Sequence, residues 1–357
     1  MSAGAMTDLL KDLWYFAATS RELKRGEMLR REILGEPVVL GRDREGRAFA
    51  LRDICPHRAV PLSAGRIVDT NGAQSVECPY HGWRFGVADG VCRQIPSLVE
   101  GQAYEANRIK VRHYPTHEAN GIVLAFVAAD ARALHEPPPP PVFELGDFRT
   151  PKFVIHRIFA ATMDNAVVGL MDPAHVPYVH DQWWWRPPSA GKKLKQKRFV
   201  PRERGWAIER HAPSSNSLPY RILFGRQVTT EISFMLPGFR WEVVEGEKAR
   251  LFTLTCLTPE NENSTRITQV TYWKNAPLLD ALKPILTPAG RKFLDQDGDM
   301  VDLQNEGLRY SPSMLWIDDI DVQAKWYLKL KREWTKSREE GREFVNPIEA
   351  TVLKWMS

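Results

Sequence analysis

The sequence has few cysteines, no long apolar run and no strong excess of charge. Four cysteines in 357 residues are too few for a secreted scaffold held by disulfides. No stretch approaches the roughly 20 apolar residues that cross a bilayer, so no membrane span is expected. The N-terminal residues 1–6 lack the basic and apolar regions of a secretory signal, and we expect a cytoplasmic protein. A formal net charge of +5 does not indicate nucleic-acid binding; it suits docking of an acidic protein.

A run of five prolines divides the chain. Pro137–Pro141 favours a stiff polyproline II segment, which cannot lie inside a helix or a central strand. A chain of 357 residues also allows two domains, each with its own core. We therefore expect domains over residues 1–136 and 144–357, joined by a linker at 137–143. A ligand for a proline-binding domain is the alternative interpretation of the prolines.

The hydrophobic pattern predicts an α+β protein. Turn signals at residues 44–46, 71–72 and 89–90 lie between short alternating segments, and they indicate a small antiparallel β domain at the N-terminus. The second domain is expected to hold a large antiparallel sheet flanked by helices. Its predicted strands cover residues 153–162, 206–211, 227–235, 239–245, 250–257 and 265–274, and its predicted helices cover 161–176, 289–307 and 321–340. Cys256 falls in a strand pattern and is predicted to be a buried thiol.

Two short segments each pair a cysteine with a histidine, and twenty residues lie between His57 and Cys78. They are Cys55-Pro56-His57-Arg58 and Cys78-Pro79-Tyr80-His81-Gly82-Trp83. Thiolate and imidazole groups hold soft or borderline metals. A tetrahedral zinc site accepts two Cys and two His, although its usual spacing pairs like with like. A [2Fe–2S] centre with two Cys on one iron and two His on the other accepts one of each from each segment.

A second constellation lies after the linker. Asp172 and His175 are three apart, which places them on one face of a helix, and His180 follows after Pro177. The proline predicts that the helix ends there, leaving His180 free to fold back toward His175. Two histidines near a helix end are, taken alone, more often hydrogen-bonded core or surface residues than metal ligands.

Four aspartates between residues 291 and 304 differ in their helical neighbours. Residues three and four positions from Asp297 are apolar: Phe293, Leu294, Met300 and Val301. A carboxylate on an inward, apolar face is costly unless it is paired or bound to a metal. The other three fall on a polar face, where a solvated charge run is expected; they are Asp295, Asp299 and Asp302.

Together these motifs resemble those of the Rieske non-haem iron oxygenases, over nearly the whole chain. The shared patterns are Cys-x-His with Cys-x-x-His, then Asn165 with Asp172, His175 and His180, and then Phe293, Asp297 and Gln304 on a helix. The resemblance is strongest to oxygenases that work without a separate β subunit, such as vanillate and dicamba O-demethylases. It implies a Rieske [2Fe–2S] cluster on Cys55, His57, Cys78 and His81. It also implies mononuclear Fe(II) on His175, His180 and Asp297.

Further roles follow from the same resemblance. Asp172 is expected to bridge His175 and His81 of a neighbouring chain in a homotrimer, and Asn165 to lie near the iron. The implied reaction is O₂-dependent monooxygenation, by hydroxylation or oxidative O- or N-demethylation, of a small hydrophobic ring-containing substrate. Electrons would come from NAD(P)H through a ferredoxin or a flavin reductase. Alternatives are cis-dihydroxylation of an aromatic ring, hydroxylation of a steroid or terpenoid, and a non-catalytic Rieske electron carrier.

The sequence gives weaker signals about the substrate pocket. Residues 232–236 and 239–241 are expected to form an apolar wall, and Trp183-Trp184-Trp185 to line the pocket mouth. Packing of these aromatic residues in the core or in a subunit interface is the alternative. Three arginines are candidates for holding a substrate carboxylate: Arg221, Arg226 and Arg240.

Overall fold

The structure is a computed structural model that describes residues 9–99, 101–102, 104–130, 136–180, 194–213 and 218–356. The chain forms two compact units: Lys11–Val142 form one, and the residues from Phe143 onward, together with the described residues before Lys11, form the other. Within these ranges no helix is both long and apolar enough to cross a membrane. The predicted pocket-mouth residues Trp183–Trp185 lie outside the described residues.

Short antiparallel strands in three sheets build the first unit. The sheet orders are β1-β10-β9, β2-β3-β4 and β5-β6-β7-β8. The strands are β1 Leu13–Thr19, β2 Met28–Ile33, β3 Glu36–Arg42, β4 Ala48–Arg52, β5 Arg66–Thr70, β6 Ala73–Glu77, β7 Arg84–Gly86, β8 Cys92–Gln94, β9 Thr116–Ala119 and β10 Ile122–Val127. The small antiparallel β domain predicted at the N-terminus is confirmed.

Local turn chemistry explains the hairpin between β5 and β6. Asn71 and Gly72 have φ values of 54° and 80°. Positive φ at both central residues is the mark of a type I′ turn, whose twist matches that of paired strands. Thr70 pairs with Ala73 directly across this turn. The Asn-Gly signal therefore sets the register of the segment that leads to Cys78.

The beginning and the end of the first unit lie side by side. Leu13 on β1 pairs with Val127 on β10, and the N–H of Ala129 donates to the Asp12 carboxylate at 2.7 Å. The indole N–H of Trp14 donates to the carbonyl oxygen of Pro138 at 2.9 Å. The start of the proline run is thus hydrogen-bonded to the first strand of this unit.

One antiparallel sheet of eight strands forms the centre of the second unit, in the order β11-β17-β16-β15-β14-β13-β12-β18. Its strands are β11 Phe153–Phe159, β12 Leu194–Arg202, β13 Gly205–His211, β14 Val228–Met235, β15 Phe239–Gly246, β16 Arg250–Asn261, β17 Ser264–Lys274 and β18 Thr351–Met356. The helices are α1 Met163–Met171, α2 Val176–Val179, α3 Leu218–Phe224, α4 Pro277–Leu308 and α5 Val322–Glu339. The predicted α+β class is confirmed.

The two faces of this sheet have different covers. Phe234 stacks on Trp206, which packs against Trp326 of α5. Phe143 packs against Trp241 on the other face. Because side chains alternate along a strand, the predicted apolar wall is split: Phe234 faces the helices, whereas Phe239 and Trp241 face Phe143.

Two predicted helices differ from those observed. The helix expected over 161–176 ends at Met171, because Asp172 is extended (ψ 118°) and its carboxylate accepts the Ala174 N–H at 2.7 Å. The helix expected over 289–307 instead begins at Pro277 and continues through Pro284 and Pro288. An internal proline removes one helical hydrogen bond, but packing of α4 on β11 supports the rest of the helix.

Candidate functional site

The two Cys–His segments form loops with the same backbone hydrogen bonds. In each, the cysteine N–H donates to the carbonyl five residues later, and the cysteine carbonyl accepts the N–H four residues later. The residue four positions after each cysteine has a positive φ, 57° at Ala59 and 69° at Gly82. Each loop is thus closed by hydrogen bonds within its own backbone, independently of the other loop.

The loops bring their four predicted ligands together. The rings of His57 and His81 lie 4.6 Å apart between centroids, and Cys55 and Cys78 are both buried, at 2% exposure. Burial raises the pKa of the Cys55 thiol to about 11, and contact with Cys78 adds to this shift. Backbone N–H groups of His57 and Arg58 directed at the sulfur act in the opposite direction. Such donors favour thiolate, the form that binds a metal.

The histidine of the first loop has an atom that fits a metal. His57 Nδ1 is buried, and no described residue hydrogen bonds to it. Desolvation, helped by the charges of His81 and Arg58, lowers the pKa of His57, which favours the neutral imidazole that binds a metal. Trp83 stacks flat on this ring at 4.6 Å with an angle of 4°. The donor set therefore fits an iron–sulfur cluster with an outward-facing, exposed His81.

A buried carboxylate that we did not predict holds the first loop in place. Asp53 is 1% exposed and accepts hydrogen bonds from the N–H and the hydroxyl of Ser63, both at 2.6 Å. Arg30 lies 3.5 Å from the same carboxylate. The sequence shows that Asp53 lies two residues before Cys55, but it does not show that the side chain is buried. A buried carboxylate must be paired, so its partners became apparent only in the structure.

The second unit gathers the other predicted ligands. One ligand atom from each of His175, His180 and Asp297 lies within 4.8 Å of the others. Asp297 Oδ1 is 3.2 Å from His180 Nε2 and 3.6 Å from His175 Nε2. Two imidazoles and one carboxylate on one side of a centre form the facial triad typical of non-haem Fe(II) sites. His175 comes from the loop before α2, His180 from its end, and Asp297 from α4.

Helix α4 also orients His180, which is 2% exposed. His180 Nδ1 lies 3.3 Å from Gln296 Oε1, and Phe293 stacks on the ring. If Nδ1 carries the proton and donates to Gln296, Nε2 presents its lone pair toward Asp297, as metal-binding histidines do. Phe293 lies one helical turn before Asp297, so helical spacing places it near the predicted ligand. Gln296 is the residue directly before Asp297, and its contact with His180 is apparent only in the structure.

Asp172 and Asn165 lie at opposite ends of α1. Asp172 Oδ2 is 3.8 Å from His175 Nδ1, and its side chain is 34% exposed. His175 Nδ1 is buried without a hydrogen-bond partner among the described residues. The backbone N–H of Asn165 donates to the helix-capping Thr162, and no described hydrogen bond joins its side chain to the three candidate ligands. The structure thus brings Asp172, but not Asn165, into contact range of the helix site.

The three aspartates expected to be merely solvated share one cation. Arg157 of β11 lies 3.4 Å from Asp295, 3.1 Å from Asp299 and 3.4 Å from Asp302. They are about half exposed, as a polar face requires, but they are not independent surface charges. Met300, expected on the inward face, is 44% exposed.

Comparisons with known proteins decide the family. The family model of the Rieske [2Fe-2S] domain matches residues 13–115. That of the vanillate O-demethylase oxygenase C-terminal domain matches residues 159–332. The two matches follow each other in one chain and contain both groups of candidate ligands. The chain belongs to the Rieske non-haem iron oxygenases. This family assignment favours a [2Fe–2S] cluster over zinc at the loops, and an oxygenase over an electron carrier.

Curated relatives of this Rieske oxygenase match about half of the chain. The iron-sulfur subunit TsaM1 of the toluene-4-sulfonate monooxygenase system of Comamonas testosteroni is 31% identical over 48% of this chain and 46% of its own. Chlorophyllide a oxygenase of Chlamydomonas reinhardtii is 31% identical over 48% of this chain and 24% of its own. The chain thus spans less than half of the length of these relatives.

Solved structures share the fold over nearly the full length. NdmB of Pseudomonas putida CBB5 is 21% identical with a TM-score of 0.70, and 99% of each chain is covered. Dicamba monooxygenase bound to dicamba is 23% identical with a TM-score of 0.67, covering 94% of this chain and 99% of its own. An oxygenase in complex with ferredoxin, from carbazole 1,9a-dioxygenase, is 20% identical with a TM-score of 0.63, covering 93% of each chain.

Proposed function

We propose that this protein is the terminal oxygenase of a multicomponent Rieske system and monooxygenates a hydrophobic, ring-containing substrate. One observation carries the proposal: His175, His180 and Asp297 converge within 4.8 Å in the same chain as a Rieske domain. A Rieske electron carrier has no use for a second ligand set of this kind. Two histidines and one carboxylate leave coordination positions open for O₂.

The chain's own residues prepare the chemistry. When bound, the cluster supplies single electrons and the iron supplies the position at which O₂ is reduced, so that one oxygen atom enters a C–H bond and the other leaves as water. Gln296 holds Nδ1 of His180 and so directs Nε2 inward. Phe293 on the His180 ring excludes water from one side of the site. The Asp297 carboxylate reduces the net charge of the bound dication.

Asp172 is proposed to provide the hydrogen-bonded path for electron transfer between chains. In a homotrimer its carboxylate would accept hydrogen bonds from His175 and from His81 of the partner subunit. Support comes from three facts: Asp172 is one third exposed and 3.8 Å from His175, His81 is exposed, and carboxylates of this kind orient ligating imidazoles. Asn165 is proposed to lie near the iron, which rests on the resemblance alone.

The donor and the substrate are proposed by class. A ferredoxin or a flavin reductase, fed by NAD(P)H, would donate electrons to the Rieske cluster; a ferredoxin complex is known for the oxygenase of carbazole 1,9a-dioxygenase. The names of matched proteins point to ring compounds, since they include chlorophyllide a oxygenase and dicamba monooxygenase. If the oxidised carbon is a methyl group on oxygen or nitrogen, the hydroxylated product releases formaldehyde.

Iron content, turnover and the fate of labelled O₂ test the proposed function. The purified protein should hold about three irons per chain, two of them in the cluster, and with a surrogate reductase it should convert a methylated aromatic compound or a sterol.

Asp172→Asn should keep the metals and lose turnover; normal turnover in that variant would refute the proposed role of Asp172 in electron transfer. Labelled O₂ separates the alternatives, because a dihydroxylated product carries two labelled atoms and a monooxygenated product carries one. An iron content near two would contradict the proposal.

A further inference from the structure

The guanidinium of Arg157 reaches from the central sheet across helix α4. It donates to the main-chain carbonyl of Asp295 and lies 3.1 to 3.4 Å from the carboxylates of Asp295, Asp299 and Asp302. Its side chain is 22% exposed. Since a planar guanidinium has fixed donor directions, four acceptors on one helix restrain that helix in rotation as well as in distance from the sheet.

Gly298 provides the room for this contact. A Cβ atom built at Gly298 would lie 2.2 Å from Arg157 Cζ and 2.3 Å from Nε. Any other residue there would therefore displace the guanidinium. Glycine in the interior of a helix costs roughly 1 kcal/mol relative to alanine, so the position lowers helix stability and allows Arg157 to cross.

The residues of α4 that contact Arg157 lie on other sides of the helix than Asp297. One residue turns a helix by about 100°, so Asp295 and Asp299, two positions before and after Asp297, point away from it on the opposite side. Gly298 lies about a quarter turn from Asp297. A rotation of α4 that shortened or lengthened the Arg157 contacts would therefore swing the Asp297 carboxylate relative to His175 and His180, which do not belong to α4.

We propose that Arg157 is a positioning residue for Asp297. By fixing the rotation of α4 over β11, it sets the 3.2 Å and 3.6 Å separations of the Asp297 carboxylate from His180 and His175. The inference rests on the proposed metal site of these three residues and extends it to a residue that touches neither metal nor substrate. Side chains that hydrogen bond to a metal ligand typically change metal affinity by 10- to 100-fold; because Arg157 acts through the helix, we expect an effect at the lower end of this range.

A matched pair of variants tests the proposal. Arg157→Met removes the restraint near Asp297. Lys152→Met removes another ion pair to the same helix, since Lys152 lies 2.8 Å from Asp280 in the first turn of α4. In the full-length holoprotein with its second site refilled by Co²⁺, we expect Arg157→Met to weaken Co²⁺ binding on the order of 10-fold. It should also alter the Co²⁺ EPR spectrum, recorded with the cluster oxidised, while Lys152→Met resembles the wild type.

Two further variants separate positioning from general stability. Gly298→Ala displaces Arg157 while favouring the helix, so it should weaken Co²⁺ binding without lowering the melting temperature. Arg157→Lys, which keeps the charge, should restore part of the affinity. Wild-type affinity in Arg157→Met, or an equal loss in Lys152→Met, would overturn this inference alone. Wild-type protein that takes up no metal at the second site would overturn the proposed function with it.

Discussion

The loop site and the helix site hold their candidate ligands in different ways. At the loop site, each Cys–His pair sits in a turn closed by its own backbone hydrogen bonds, and both cysteines belong to the core of the same small unit. At the helix site, Asp297 lies on α4, far along the chain from His175 and His180. Local geometry therefore builds the first site, and the packing of distant elements builds the second.

This difference extends to what surrounds each site. The loop site shares its core with buried apolar residues such as Leu62 and Phe85. Helix α1, which leads to the helix site, is joined to α5 by a buried cluster in which Asp164 accepts hydrogen bonds from Tyr327 and Lys331 at 2.7 to 2.9 Å. Damage to one site should consequently leave the other intact.

Loss of a loop thiolate should have the largest effect. We expect Cys78→Ala to abolish the visible absorbance of the cluster and all turnover, because a thiolate ligand also completes a buried core. Cys92→Ala is the control, since Cys92 is equally buried in that core but is not a predicted ligand. Absorbance spectra and Co²⁺ binding at the helix site measure the result. A cluster retained in Cys78→Ala would contradict the ligand assignment.

Removal of the helix carboxylate should be nearly as severe for turnover but should spare the cluster. Asp297→Ala should lose the mononuclear metal and at least about 100-fold in turnover, since removing a ligand exceeds the loss of an outer partner. Iron content and the cluster spectrum check this expectation. Glu306→Ala, exposed on the same helix, should match the wild type. Unchanged iron content in Asp297→Ala would remove this residue from the site.

Breaking the buried ion pair should destabilise the second unit. Lys331→Met leaves Asp164, which is 1% exposed, without its cation, and an unpaired buried charge costs about 3 kcal/mol or more. Lys325→Met on the same helix loses only its pair with the exposed Asp318 and should change the free energy of unfolding by less than about 0.5 kcal/mol. Denaturant titration compares the two. Equal effects would show that the Lys331–Asp164 pair does not stabilise the second unit.

The smallest effects are expected at the two matching turn positions of the loops. Gly82→Ala should cost about 1 kcal/mol, since φ is 69° and the new Cβ would lie 3.2 Å from Pro96. Ala59→Gly should change stability by less than about 0.5 kcal/mol, because relief of strain is offset by added freedom in the unfolded chain. Melting temperatures followed at the cluster absorbance resolve the two. A larger loss in Ala59→Gly would refute the equivalence of the loops.

Sequence reasoning succeeded where the determinants are local. The two Cys–His segments and the Asn71-Gly72 turn are defined by residues close together in the chain. The helix predicted over 321–340 is observed as α5, and its Trp326, Leu330 and Trp334 are buried. Apolar neighbours singled out Asp297, which the structure places beside both histidines. These features depend on spacing within a few residues.

It failed where distant parts of the chain meet. Nothing near Arg157 indicates that its partners lie on α4, 138 or more positions away. Strands β12 and β18 escaped prediction because both lie at or next to the edge of the sheet and are largely exposed, so they lack a clear apolar alternation. Helix α4 begins twelve residues before the predicted start, because packing on β11 supports a segment that contains Pro284 and Pro288.

The hydrogen bond between Trp14 and Pro138 has a practical meaning for protein engineering. The first and last residues of the first unit lie next to each other, and the residues on both sides of it belong to the second unit. Units with neighbouring ends tolerate transplantation and circular permutation. We therefore expect the Rieske unit, cut to retain Pro138, to accept insertion into a loop of another protein with little change in the path of the surrounding chain.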